Sequence, residues 1–304
     1  MRILIPVDGS APSRGALRFA AERARRMASP AELTVINVEP AVPAGNAICA
    51  VELQAVRQLY ADSAAAVLDG MLAEAGDLPV RRSVAYGRAG EVIATTAVTD
   101  GADLIVMGTR GRSGMRQLLL GSTSRSVLAH SRHPLLLVQE PFENMPDDLH
   151  VTLAADGSPY GAAAALFIAE RAAFFGRRPT VDVLCVLPDM ERWLKNTSRG
   201  VVPIVEKARE RWAEEADELW ERSVARPLEI LARAGIEARG VRRVGQPAEE
   251  IAAHVAETGG IVAMGSHGAG RLLQAVLGST ATKICAAVKV PVLIVRADPA
   301  ELRE

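Results

Sequence analysis

The chain has 304 residues, is 49% apolar and 4% aromatic, and sets 35 Lys+Arg against 36 Asp+Glu for a net charge of −1. That length and apolar content suit two ordinary domains with cores of Ala, Val, Leu and Ile. The balanced charge argues against nucleic acid or an anionic membrane as partner, and no apolar run approaches the roughly 18 residues that a membrane span needs.

Taken in order, residues 3–7 (ILIPV) predict a buried first strand. No signal-peptide pattern is apparent in this opening, which leads to the expectation of a cytoplasmic protein. The strand runs into Asp8-Gly9-Ser10, and the spacing then predicts a helix over 14–27. A second strand over 33–38 ends at Val38, an amphipathic helix covers 51–74, and a third strand over 79–86 ends at Gly87. After a short helix, residues 104–107 (LIVM) predict a fourth strand that stops at Gly108. Gly121-Ser122 opens another helix, and 133–138 (HPLLLV) closes the first half.

The second half repeats this order. Residues 151–155 (VTLAA) lead into Asp156-Gly157-Ser158, 148 positions after their counterpart, and a helix over 160–175 is expected to follow. A strand over 181–186 ends at Val186. A long helix spans 203–234, and further strands cover 237–244, 261–264 and 290–295. The extra length of this half falls between its second and third strands. Trp212 and Trp220 of the long helix are expected to pack inward, and its charges, such as Glu214 and Arg222, to face solvent. Strands alternating with helices predict a parallel, doubly wound sheet in each of two domains, 1–140 and 151–297, joined by a polar linker at 141–150. In such sheets the ligand crevice lies beyond the carboxyl ends of the strands.

One motif occurs twice at those carboxyl ends. Gly108-x2-Gly111-x9-Gly121-Ser122 is matched by Gly265-x2-Gly268-x9-Gly278-Ser279. A single copy should arise by chance roughly 0.02 times in such a chain. A glycine where a strand stops can take positive φ and lets a ligand approach the main chain. Gly-Ser before a helix suggests a hydroxyl cap and an N-terminus whose free N–H groups attract anions. The competing reading is turn chemistry alone.

Cys49, Cys185 and Cys285 match no metal spacing. Cys185 and Cys285 fall in apolar surroundings and are expected to be inert, whereas Cys49 lies in a loop-like stretch and is the one to test for reactivity. His130, His133, His150 and His254 show no clustered carboxylate or cysteine, so no side-chain metal site is expected.

With these motifs in view, both halves resemble universal stress protein domains of the ATP-binding type, and the whole resembles the tandem form of that family. The resemblance covers residues 3–138 and 151–295. It implies a five-stranded parallel sheet of order 3-2-1-4-5 with about four helices per domain, and a site for ATP, or ADP or AMP, with Mg or Mn. By position, Asp8 and Asp156 match the acidic residue near the adenosine, and Val38 and Val186 match the adenine-side backbone position. Gly108, Gly111, Gly121 and Ser122 fall on the ribose and phosphate loop, as do Gly265, Gly268, Gly278 and Ser279. There are two departures. Gly260 stands where the first half has Asp103, which is expected to loosen the second domain, and His267 stands where the first half has Arg110.

The functional expectation is a nucleotide-binding stress-response regulator whose occupancy alters a dimer or partner interface. An ATP hydrolase and a nucleotide-free scaffold are the alternatives. No candidate base stands at a motif position beyond Asp8 and Asp156, so at most weak hydrolysis is expected. The apolar closing strands, costly to leave as bare edges, suggest an intramolecular domain pair plus a homodimer. The signalling partner is not legible.

Overall fold

Short runs rich in Val, Ile and Leu form the strands, and longer stretches with helical spacing pack against them. The computed structural model describes residues 1–29, 31–41, 50–109, 120–139, 146–190, 202–266 and 277–296. In chain order the first half contributes β1 (Arg2–Pro6), α1 (Ala11–Arg26), β2 (Glu32–Glu39), α2 (Ala50–Leu72), β3 (Val80–Tyr86), α3 (Ala89–Thr99), β4 (Leu104–Gly108), α4 (Ser122–His130) and β5 (Leu135–Val138). The second half contributes β6 (His150–Ala154), α5 (Pro159–Glu170), α6 (Ala172–Phe175), β7 (Thr180–Leu187), α7 (Val202–Arg233), β8 (Glu237–Val244), α8 (Pro247–Thr258), β9 (Ile261–Gly265), α9 (Ser279–Ala287) and β10 (Val292–Val295).

The chain forms two units. Unit 1 comprises Met1–Asp147, Ala173–Gly176 and Lys289–Ile294. Its sheet runs β3-β2-β1-β4-β5, every pair parallel, with β10 added antiparallel on β5 so that Leu293 faces Leu136. Leu4, Val35, Val106 and Leu136 are fully buried, the pattern of strands covered on both faces. Parallel crossovers bring the carboxyl ends of β1 and β4 side by side, which is what positions the crevice.

One buried cation ties the periphery of unit 1 together. Arg23 of α1 donates from Nε to Phe174 O (2.7 Å), from Nη1 to Pro146 O (3.0 Å) and from Nη2 to Asp147 O (3.0 Å). The Phe174 ring packs against Phe19 at 6.3 Å between centroids. Replacing Arg23 by methionine keeps the bulk but strips three carbonyls of their donor. It is expected to cost roughly 2 to 4 kcal/mol, read as a lower urea midpoint.

Unit 2 comprises Asp148–Ala172, Arg177–Val288 and Val295–Glu304, and its parallel sheet runs β9-β6-β7-β8. The single helix expected over 160–175 is two, because Arg171 leaves the helical region at φ −117°, ψ 27°. α7 is one helix of 32 residues that carries Pro227 inside it. Trp220 packs inward over β8, where a Cβ on Gly240 would lie 2.9 Å from the indole, so that glycine makes room for the ring. Trp212 and Trp220 are both half-buried, so the expected inward packing is partial for each.

Candidate functional site

The unit 1 crevice is assembled from three strand ends and one helix start. Beyond β1, the Asp8 carboxylate accepts from Ser10 N (3.0 Å) and from Ser10 Oγ (2.5 Å) through Oδ1, closing a turn in which Gly9 takes φ 80°. Ser10 in turn caps α1 by accepting from Ser13 N (3.4 Å). Val7 N donates to Ile36 O (2.8 Å) and Asn37 Nδ2 donates to Val7 O (2.9 Å), so β2 is carried alongside and Val38 reaches the crevice wall.

On the other side, Gly121 N donates to Thr109 O (2.8 Å), which docks the start of α4 beside the end of β4. The first helical turn closes with Arg125 N donating to Gly121 O (3.0 Å). The N–H groups of Ser122, Thr123 and Ser124 therefore have no acceptor within the helix. Asp8, Val38, Gly108, Gly121 and Ser122 all line one cleft of about 240 Å³, together with the apolar side chains of Ile36, Ile93 and Met107. A carboxylate, a row of amide donors and apolar side chains thus share the lining of one cleft. Gly111 and Arg110 lie outside the described residues.

The glycines do different work from that expected. Gly121 and Gly278 are themselves the N-caps, both at φ −60°, ψ 155°, an extended conformation open to any residue, and Ser122 and Ser279 are the first helical residues rather than caps. Positive φ occurs instead at Gly9 and at Gly157 (φ 78°), in the two Asp-Gly-Ser turns. A Cβ on Gly108 would lie 2.6 Å from the Pro12 carbonyl carbon, and one on Gly265 would lie 2.2 Å from Tyr160 Cβ. These two glycines thus let the first turn of α1, and of α5, helices that follow the neighbouring strands β1 and β6, close onto the ends of β4 and β9. Sequence reasoning missed Ser13, which lines the cleft and whose Oγ accepts from Asp8 N (3.4 Å). A hydroxyl in the first turn after a strand-ending acid was the signal available.

Unit 2 repeats the main-chain design. Asp156 Oδ1 accepts from Ser158 N (3.0 Å), and Gly278 N donates to Ser266 O (3.0 Å). Gly265 ends β9, Ser279 starts α9, and Val186 lies near the end of β7. Gly268 and His267 lie outside the described residues. The side chains diverge: Gly161 stands where unit 1 has Ser13, and the buried Tyr160 where it has Pro12.

Cys185 and Cys285 are buried free thiols, and burial pushes Cys285 up to about 12, which keeps it protonated and unreactive at neutral pH. Cys49 lies outside the described residues. The expectation that no carboxylate lies near the histidines is corrected for His150 and His254, because β7 brings Asp182 Oδ2 within 3.3 Å and 2.9 Å of them.

Comparison with known proteins agrees with this geometry. The family model described as the universal stress protein family matches residues 1–139 and again 149–296. The chain belongs to the universal stress protein family. It carries two such domains in tandem, in an α/β fold with a mostly parallel sheet. A universal stress protein of Mycolicibacterium smegmatis is 29% identical over 304 residues, spanning 97% of this chain and 96% of its own length. A Mycobacterium tuberculosis universal stress protein is 27% identical, spanning 98% and 96%. The solved structure of a universal stress protein from Archaeoglobus fulgidus shares the fold, with a TM-score of 0.60 at 21% identity and coverage of 97% and 96%. Within this stress-response family, no described helix of the present universal stress protein is long and apolar enough to cross a membrane.

Proposed function

We propose that the unit 1 cleft binds an adenine nucleotide, ATP or its ADP and AMP relatives, and that occupancy alters an interface with a second copy of the chain or with a signalling partner. One observation carries the reading: the acid, the β2 end and the α4 amides named from the sequence line a single cleft. A flat heterocycle suits the apolar walls by β2, a ribose hydroxyl can donate to Asp8 Oδ2, and the phosphates meet the first N–H groups of α4. The cleft volume of about 240 Å³ lies below the roughly 300–1,000 Å³ of sites for drug-sized ligands. It suits a nucleoside whose phosphate tail runs out along the helix start. A divalent cation, Mg or Mn, would join through the phosphates, since Asp8 is the one carboxylate among the described residues of the cleft. Unit 2 keeps the turn and the helix start but lacks the Ser13 hydroxyl, so it is the weaker binder.

A switch is favoured over a hydrolase because Asp8 is committed through Oδ1 to its own turn and no second acid or base faces the α4 amides from the described cleft. Freshly purified protein, once denatured, is expected to release adenine nucleotide, and incubation with ATP and Mg2+ should liberate phosphate only slowly. Rapid phosphate release would assign a hydrolase, and empty protein that fails to titrate with ATP would leave a scaffold. Asp8→Ala is expected to weaken ATP binding by about 10-fold or more, measured by calorimetry, through loss of one hydrogen bond to a charged group.

A further inference from the structure

At the amino-terminal ends of the unit 2 strands, away from the crevice, two histidines and a carboxylate converge. His254 Nε2 of α8 lies 2.9 Å from Asp182 Oδ2 of β7, and His150 Nε2, at the start of β6, lies 3.3 Å from the same oxygen. The three atoms all lie within 4.8 Å of one another. Asp182 and His254 are buried and His150 is half-buried. A tetrahedral ion with bonds of about 2.1 Å holds its ligand atoms about 3.4 Å apart, close to the two nitrogen–oxygen spacings found here.

The histidine at the mouth of this cluster is poised to ligate. His150 Nδ1 lies 2.9 Å from Thr180 Oγ1, and a proton on Nδ1 donated to that hydroxyl leaves the lone pair on Nε2. Nε2 is itself buried, with Asp182 Oδ2 as its near neighbour at 3.3 Å.

The duplicated fold has no need of these groups. The matching positions of unit 1 are Arg2, Thr34 and Thr96, and there Arg81 Nε simply donates to Thr34 Oγ1 (3.2 Å). A buried acid between two histidines is therefore an addition particular to the second half.

We propose that His150 Nε2, Asp182 Oδ2 and His254 Nε2 bind one transition-metal dication of the zinc class, which staples β6, β7 and α8 of unit 2. The imidazole and carboxylate donor set suits Zn2+ and its neighbours rather than Mg2+. Two arginines border the cluster, and both can yield. Arg239 donates from Nε to Asp182 Oδ1 (2.7 Å) and from Nη2 to Oδ2 (3.1 Å). The ion takes Oδ2, Nε keeps Oδ1, and the outer nitrogen of this largely exposed side chain turns to solvent. Arg243 Nη2 lies 3.4 Å from His254 Nδ1 and also bonds Glu257. When the metal takes Nε2, the proton moves to Nδ1 and Arg243 rests on Glu257 alone. Because the two deeper ligands are closed off from solvent, the role is structural, with His150 at the entry.

The test uses the full chain, stripped with EDTA and titrated calorimetrically with ZnCl2. The wild type is expected to bind one equivalent and to melt at a higher temperature with Zn2+ but not with Mg2+. His150→Gln and His254→Gln are each expected to weaken Zn2+ binding by at least about 10-fold. The His150 substitution lies at a half-buried strand end, so circular dichroism and the metal-free melting temperature will show it folded, and it decides the matter even if the His254 variant fails to fold. No binding by the wild type, or equal binding by His150→Gln, overturns the assignment.

Discussion

Gly121→Trp is expected to remove nucleotide binding from unit 1, a loss of about 100-fold or more in affinity, while leaving the chain folded. At φ −60° and ψ 155° the position accepts any residue, and the cost to α4 of losing a glycine N-cap is about 1 kcal/mol. The effect on the ligand is far larger, because Gly121 lines a cleft of only about 240 Å³ and stands immediately before the Ser122, Thr123 and Ser124 amides. An indole there competes for the same space and screens those donors from phosphate. A hundredfold loss is about 2.7 kcal/mol, within reach of two forfeited charge-assisted hydrogen bonds. Titration of the variant with ATP should lose the tighter of any two binding phases, with the thermal midpoint of the ligand-free protein little changed. Survival of the tighter phase would mean that the phosphates bind elsewhere.

The largest effect on stability is expected at Gly260. It takes φ 82°, and a Cβ there would lie 2.0 Å from the His150 carbonyl oxygen. Gly260→Ala therefore adds backbone overlap to left-handed strain, roughly 3 to 5 kcal/mol in all. The adjacent Gly259 supplies the control. Its φ of 71° and ψ of −156° lie in a region essentially confined to glycine, yet a Cβ would meet nothing within 4 Å, so Gly259→Ala carries backbone strain alone, roughly 1 to 3 kcal/mol. Urea unfolding of the two variants should separate these contributions, and equal losses would show that the contact with His150 O carries no weight. The same geometry accounts for the departure between the halves. Asp103 Oδ2 accepts from Arg2 N (2.7 Å) in unit 1, whereas unit 2 turns its corner against the His150 carbonyl, where no carboxylate fits.

The strands and their order along the chain were legible because the central ones are short apolar runs, several of which stop at an acid or a glycine, as LIVM does before Gly108. The crevice was legible for the same reason: in a parallel sheet whatever follows a strand lands at one end, so Asp8, Val38, Gly108 and Gly121 had to be neighbours. What each glycine does was not legible. Spacing marks Gly108, but only packing reveals that Pro12 occupies the room its side chain would need. The break at Arg171 was hidden because its neighbours all favour helix, and the Arg23 anchor because its three acceptors are main-chain carbonyls that carry no residue identity. His254 and Asp182 lie 72 positions apart, a separation at which no local motif can signal a cluster.

On the proposed function, the amides at the start of α4 and the turn at Asp8 grip the two ends of one nucleotide. A crystal of the full chain grown with excess ATP and Mg2+ tests it most directly. Adenine is expected against the β2 end by Val38, ribose within hydrogen-bond reach of Asp8, and phosphate on the N–H groups of Ser122 to Ser124. Nucleotide bound away from these groups, or a cleft left vacant at saturating ATP, would contradict it.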